Sequence, residues 1–152
     1  MISKIERCDS SPTAALLGRL CNGLGITLSS LMVNAERPAA PLLRAAEQPV
    51  WRDPATGLVR TAVSPAGTGS PVELVRVELP PGAAVAYEAQ RHLDYEQHVL
   101  ILEGVLALTI GTEDFRLAAG DCLYMRPNRP LRFSNEAAGP CRYLVVLMKT
   151  VA

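Results

Sequence analysis

The feature that most constrains this chain is a series of short segments between Val50 and Met148. In them apolar and polar residues alternate, and glycine, proline or aspartate recurs between them. Successive side chains of a β-strand point to opposite faces, so a period of two is what a strand with one buried face requires. Val72-Glu73-Leu74-Val75-Arg76-Val77-Glu78-Leu79 is the clearest case, and Pro80-Pro81-Gly82 stops it. Val50–Arg52 and Leu58–Val63 flank the turn Asp53-Pro54-Ala55-Thr56-Gly57, a strand–turn–strand signal. Further strands are expected at His98–Leu102, Val105–Ile110, Phe115–Leu117, Cys122–Met125, Leu131–Ser134 and Tyr143–Met148. Turns at Glu103-Gly104, Gly111-Thr112-Glu113, Ala119-Gly120-Asp121 and Gly139-Pro140 separate them. No strand–loop–helix unit occurs among them, which excludes a parallel sheet with a glycine-rich phosphate loop. The stretch from about Ala45 to Met148 is therefore expected to be an antiparallel sandwich or barrel.

Ahead of it the period is helical. Ser11-Pro12-Thr13 offers a turn and a cap, and Leu16, Leu17, Leu20 and Leu24 form a stripe at helical spacing. Gly23 and Gly25 are expected to close that helix, and Thr27 to cap a short second one through Met32. Ile2 to Arg7 has room for about one further helical turn, too short to be stable alone. Asn34 to Gln48, rich in alanine and proline, reads as a linker or an arm lying on the next domain. A chain of 152 residues has room for one core and an appendage. Lys+Arg and Asp+Glu number 15 each, so a protein whose whole surface binds nucleic acid is excluded. The four cysteines, Cys8, Cys21, Cys122 and Cys141, form no C-x-x-C pair and are expected to be reduced thiols. No apolar stretch is long enough for a membrane span and no secretion signal is legible, so a cytoplasmic protein without a membrane partner is expected.

Two motifs then stand out in order. Pro81-Gly82 through Leu102-Glu103-Gly104, followed by Leu117-Ala118-Ala119-Gly120-Asp121-Cys122 through Arg132-Phe133-Ser134-Asn135, resembles the paired signatures of the cupin superfamily. The resemblance implies a mainly β fold, a double-stranded β-helix or jelly-roll barrel, preceded here by a short helical segment. It also implies a metal centre of three histidines and a glutamate inside the barrel, and this chain departs from that pattern. The first two ligand positions hold Glu88 and Gln90, the glutamate position holds Gln97 beside Glu96, and the last histidine position holds Leu131. A leucine has no lone pair and a glutamine is a poor ligand for a transition metal, so neither metal nor other cofactor is expected. His92 and His98 are the two histidines, and His98 falls one residue from the inward position, which reverses its face. Both read as polar surface or loop groups. For the barrel mouth, Arg76, Glu88, Gln90, Gln97 and Tyr124 are the candidate polar lining of a ligand pocket. Val99, Ile101, Leu131 and Phe133 are its expected apolar wall. The other reading of Arg76 turns it outward together with Glu78.

The N-terminal segment carries a second resemblance. Ser3-Lys4-Ile5-Glu6-Arg7, Ser11-Pro12-Thr13 and Leu24-Gly25-Ile26-Thr27-Leu28 are similar to the later half of the phage-repressor-like, Xre-type helix-turn-helix domain. The match implies the end of the recognition helix and the two helices after it, over residues 1–36, with the barrel occupying 37–152. Ser3, Lys4 and Arg7 become the candidate DNA contacts. Base contacts come mainly from the start of a recognition helix, which the match does not include, so DNA binding by these residues alone is expected to be impaired. Three functions compete. The first is the small-molecule-sensing barrel of a DNA-binding transcriptional regulator, with an unknown small organic effector, DNA as partner of the full-length protein, and a homodimer. The second is a metal-dependent cupin enzyme, isomerase or dioxygenase, acting on a small polar substrate. The third is a structural barrel filled by its own Phe133, Tyr124 and Leu131. The N-terminal match favours the first, and no catalytic residue is expected.

Overall fold

The computed structural model describes residues 12–32, 38–92 and 94–150. The segment Ile2 to Arg7, with the candidate DNA contacts Ser3, Lys4 and Arg7, lies outside the described residues.

Helix α1 spans Ala14–Leu24 and α2 spans Leu28–Met32. Thr13 caps α1, its side chain accepting from the Leu16 N–H. Gly25 ends α1 in the left-handed conformation, φ 67°, which a glycine adopts without steric cost. Thr27 opens α2, its Oγ1 accepting from the Ser30 N–H at 3.0 Å. The buried face of α1 differs from the leucine stripe: Ala14, Leu17, Gly18 and Cys21 are buried, whereas Leu24 is 65% exposed. Small residues win the inner face because the helix approaches the barrel closely. A Cβ on Gly18 would lie 3.0 Å from the Tyr87 ring.

After a one-turn 3₁₀ helix at Ala45–Glu47 come ten strands among the described residues. They are β1 Val50–Arg52, β2 Val59–Ala62, β3 Val72–Leu79, β4 Ala84–Tyr87, β5 Tyr95–Glu103, β6 Val105–Ile110, β7 Glu113–Ala118, β8 Cys122–Met125, β9 Leu131–Ser134 and β10 Cys141–Lys149. One sheet runs β1-β2-β3-β10-β5-β8 and the other β4-β9-β6-β7, with antiparallel pairing throughout. The chain crosses between sheets after β3, β4, β5, β7, β8 and β9, which gives a jelly-roll barrel. Strand β4 is the element the alternation misses, since Ala84-Val85-Ala86-Tyr87 contains no polar residue to alternate with the apolar ones. Strand β5 starts at Tyr95 rather than His98, because pairing with β10 extends it through the polar Glu96, Gln97 and His98.

The core is the space between the sheets, filled by Val75, Val77, Leu79, Val99, Ile101, Leu106, Leu108 and their neighbours. Each fully buried aliphatic side chain of this kind stabilises the fold by about 1.5–3 kcal/mol. The crossovers are held by Asn135, 1% exposed. Its Nδ2 donates to the Leu79 carbonyl at 3.0 Å and to the Gly139 carbonyl at 2.8 Å, and its Oδ1 accepts from the Ala137 N–H at 3.0 Å. Its backbone pairs with Gly82 and Ala83 as well, so one residue joins the β3–β4 and β9–β10 connections. Asn135→Ala, which strands these groups, is expected to lower the unfolding free energy by about 2–3 kcal/mol in urea titration. A loss below about 0.5 kcal/mol would mean that water replaces the amide there.

Candidate functional site

Inner-face positions follow from the registers. Arg60 of β2 stands opposite Val77 of β3, and Val77 opposite Tyr143 of β10. Residues directly opposite in an antiparallel pair share a face. Val77 and Tyr143 are core, so Arg60 is turned inward with them. Gln97 of β5 is likewise opposite Leu147 and Met125, both buried.

Arg60, Gln97, Tyr143 and Leu147 line one cavity at the end of the barrel that the helices cover, enclosing about 670 Å³ of space including its open mouth. Helices α1 and α2 and the turn between them contribute Gly18, Cys21, Ile26, Thr27 and Leu28. The barrel contributes a polar set, Arg60, Tyr87, Gln90, Tyr95, Gln97 and Tyr143. Leu131, Phe133, Val145 and Leu147 form an apolar wall. Phe133 is fixed between two of the tyrosines, stacked on Tyr143 at 5.8 Å and edge-on to Tyr87 at 6.0 Å. Burial pushes the Tyr95 hydroxyl up to about 12 and raises those of Tyr87 and Tyr143, with the Arg60 charge opposing each shift. Burial likewise pushes the Cys21 thiol up to about 11. At neutral pH these four are uncharged, and the guanidinium of Arg60 is the cation among them.

Of the residues expected to line a pocket, Gln90, Gln97, Leu131 and Phe133 meet in this cavity. Val99 and Ile101 are core, 0% and 1% exposed, and belong to the packing behind it. Three others lie elsewhere. Arg76 is exposed on the outer face of β3, one residue out of phase with Val75 and Val77. Tyr124 is 51% exposed: it pairs with His98 on the outer face, its ring 5.3 Å from the imidazole, and its hydroxyl donates to Glu96 at 2.9 Å. Glu88 is exposed in a separate groove with Arg19, Arg91 and Arg132, since the chain leaves β4 at Tyr87 and turns away from the barrel. The sequence reading missed Arg60. A single arginine between Val59 and Thr61 gives no hint of its face without the register to β3, although the inward phase of Val77 carries that signal once pairing is known.

The metal pattern of the fold does not fit these residues. Of the four ligand positions, Gln90, Gln97 and Leu131 share the cavity and Glu88 lies outside it, leaving two amides and a hydrocarbon. His92 and His98 are both exposed. Among the described residues no group of three or more histidine, cysteine, aspartate or glutamate side chains is placed to hold a metal ion.

Two interleaved antiparallel sheets enclosing a cavity at one end define a cupin-type barrel, and residues 75–147 match the family model for the cupin domain. The barrel is therefore a cupin domain. The chain is 27% identical over 143 residues to the HTH-type transcriptional regulator PuuR of Escherichia coli (strain K12), an alignment covering 94% of this chain and 76% of that protein. The crystal structure of an HTH_3 family transcriptional regulator from Vibrio cholerae superimposes with a TM-score of 0.78. It is 18% identical and covers 99% of this chain and 80% of the other, so helices and barrel share its fold. A sugar phosphate isomerase of the cupin superfamily from Silicibacter pomeroyi has a TM-score of 0.57 at 22% identity, covering 72% of this chain and 76% of that one. At such identities these two likenesses show the fold alone.

The thiols report whether the helices stay docked. Cys122 is exposed, whereas Cys21 and Cys141 are buried, with the pKa of each pushed up to about 11 by burial. In native protein at pH 8, iodoacetamide is expected to label Cys122 and to spare Cys21 and Cys141 until denaturant is added. Cys21 labelling as fast as Cys122 would mean that α1 leaves the barrel readily.

Proposed function

We propose that this chain is the small-molecule-sensing cupin region of a helix-turn-helix transcriptional regulator, residues 1–36 belonging to the DNA-binding part and 37–152 to the sensor. The observation that carries the reading is the composition of the cavity wall. Helical residues, Gly18, Cys21, Ile26, Thr27 and Leu28, face barrel residues such as Gln97 and Phe133 across one space. A molecule bound there touches both parts, and it shifts their arrangement only by as much as it prefers one arrangement over another. The likeness to PuuR over 94% of the chain supports the same reading. DNA is the partner of the complete helix-turn-helix domain, with Ser3, Lys4 and Arg7 as candidate contacts, and the cytoplasm is where such a protein works. A homodimer belongs to the proposal: strands β1 and β8 end one sheet with open edges, which a second copy can cover. The competing enzyme reading needs metal donors that Gln90, Gln97 and Leu131 at the family's ligand positions do not supply.

Native mass spectrometry of the protein purified without added ligand, followed by denaturing extraction, tests the reading. A stoichiometric small molecule is expected. Its addition to stripped protein should slow amide hydrogen exchange in Ala14–Leu24; a bound molecule that leaves this exchange unchanged would refute coupling through the helices. Gly18→Val drives a side chain against Tyr87. It is expected to cost about 1–3 kcal/mol and to speed exchange in α1 while strands β5 and β10 keep their protection.

A further inference from the structure

We propose that the cavity is a carboxylate site. Arg60 anchors the carboxylate of a small organic acid, and Gln90 and Gln97 take a second polar group of the same molecule. The proposal rests on the reading of this cavity as an effector site and names the chemical class of the effector.

An inward guanidinium is expensive to bury unless an anion and hydrogen-bond acceptors surround it. The ion pairs among the described residues use Arg126, Arg129, Arg142 and Lys149, and none uses Arg60. Its Nε is buried with no acceptor. One side-chain partner, the Tyr87 hydroxyl, meets the guanidinium. The two carboxylates whose charges reach the cavity tyrosines, Asp53 at Tyr87 and Glu73 at Tyr95, are already committed. Asp53 accepts from the Ala14 and Ala55 N–H groups and from the Thr56 hydroxyl. Glu73 accepts from Thr27 and Ser30 and pairs with Lys149. Among the described residues no aspartate or glutamate lines the cavity. The protein thus presents a cation and lacks its anion.

The remaining lining fits the rest of an acid. Tyr87 and Tyr95 keep their protons and serve as donors toward carboxylate oxygens. Gln90 and Gln97 are 9% and 7% exposed, and their amides have no hydrogen-bond partner among the described residues. Such amides suit a hydroxyl, amide or second carboxyl group. Leu131, Phe133 and Val145 offer a hydrocarbon wall to the carbon chain between the two ends. An amine has no counter-charge here, and a phosphate dianion finds one cation where it would need more.

Thermal denaturation of the full chain tests the class, because a ligand that binds only the folded state raises Tm with its concentration. The probes are butyrate, 4-hydroxybutyrate and glutarate, compared with butyramide, butylamine and inorganic phosphate. The acids are expected to raise Tm saturably and the others not. Arg60→Gln should weaken acid binding about thirtyfold or more. Arg60→Lys should retain part of the affinity, and circular dichroism establishes that both variants fold. Stabilisation of the parent by butyramide, butylamine or phosphate rather than by the acids would overturn the proposal, as would equal acid affinity in Arg60→Gln. No shift with any acid, together with a non-acidic molecule in the native mass spectrum, would overturn the carboxylate class and leave the sensing reading intact. An empty cavity in both experiments would remove both.

Discussion

The cavity depends on two carboxylates that fasten the helices to the barrel. Asp53, 2% exposed, sits in the β1–β2 turn and accepts the Ala14 N–H at the start of α1. Glu73 of β3 accepts from Thr27 at 3.0 Å and from Ser30 at 3.1 Å at the start of α2, with Lys149 of β10 beside it. Asp53 takes a backbone N–H that lacks a partner within its helix, whereas Glu73 takes the hydroxyls of Thr27 and Ser30, of which Thr27 itself accepts the Ser30 N–H. Between the two anchors Leu17, Cys21 and Leu28 pack into a small apolar cluster that reaches Trp51. The lid is thus held at its two ends by hydrogen bonds and in the middle by a modest hydrophobic contact. Such a seam is far weaker than the sheet-on-sheet core beneath it, so the lid is the part of this fold that a ligand can reorganise without unfolding the barrel.

On the proposed sensing reading, coupling follows from where the charge lies. Arg60 is fixed to the barrel through β2, yet its field reaches Cys21 of α1 as well as Tyr87, Tyr95 and Tyr143. An anion placed on Arg60 changes the electrostatic surroundings of both walls in one step. Gly18 completes the link, since its missing side chain lets α1 rest directly on the Tyr87 ring, and Tyr87 in turn touches Phe133. The helix therefore senses the position of a ring that itself lines the cavity.

The barrel was legible because strand alternation is local. Val72–Leu79, Val105–Ile110, Cys122–Met125 and Leu131–Ser134 have the bounds that sequence alternation predicts. The inward turn of Gln97 and the outward turn of His98 follow from the same parity. What alternation cannot supply is which strands meet. Arg76 and Arg60 look alike as single arginines in β-patterned segments, and only the pairing of β2 with β3 turns Arg60 inward. Tyr124 fails similarly: its neighbours Leu123 and Met125 take the inner phase, so the aromatic ring is left outside with His98. On α1 the leucine stripe misleads because it weighs size. The close approach to Tyr87 selects Ala14 and Gly18, and Leu24 remains in solvent.

The positions where a cupin holds its metal bear on what this cavity can do. A histidine or glutamate at the places of Gln90, Gln97 and Leu131 would bring a group that binds a cation or exchanges a proton near neutral pH. An amide does neither, and leucine offers only surface. The other polar groups do not compensate, because burial holds the hydroxyls of Tyr87, Tyr95 and Tyr143 and the Cys21 thiol above their ordinary values. General acid–base catalysis needs a group whose pKa lies near the working pH, and these lie on the wrong side of it. Tyrosine donors that keep their protons beside the Arg60 guanidinium suit the proposed role, which is to hold a carboxylate in one orientation. On the proposed sensing reading, the end of the barrel that elsewhere supports a metal centre serves recognition here, and the helices that cover it are the mechanical outlet.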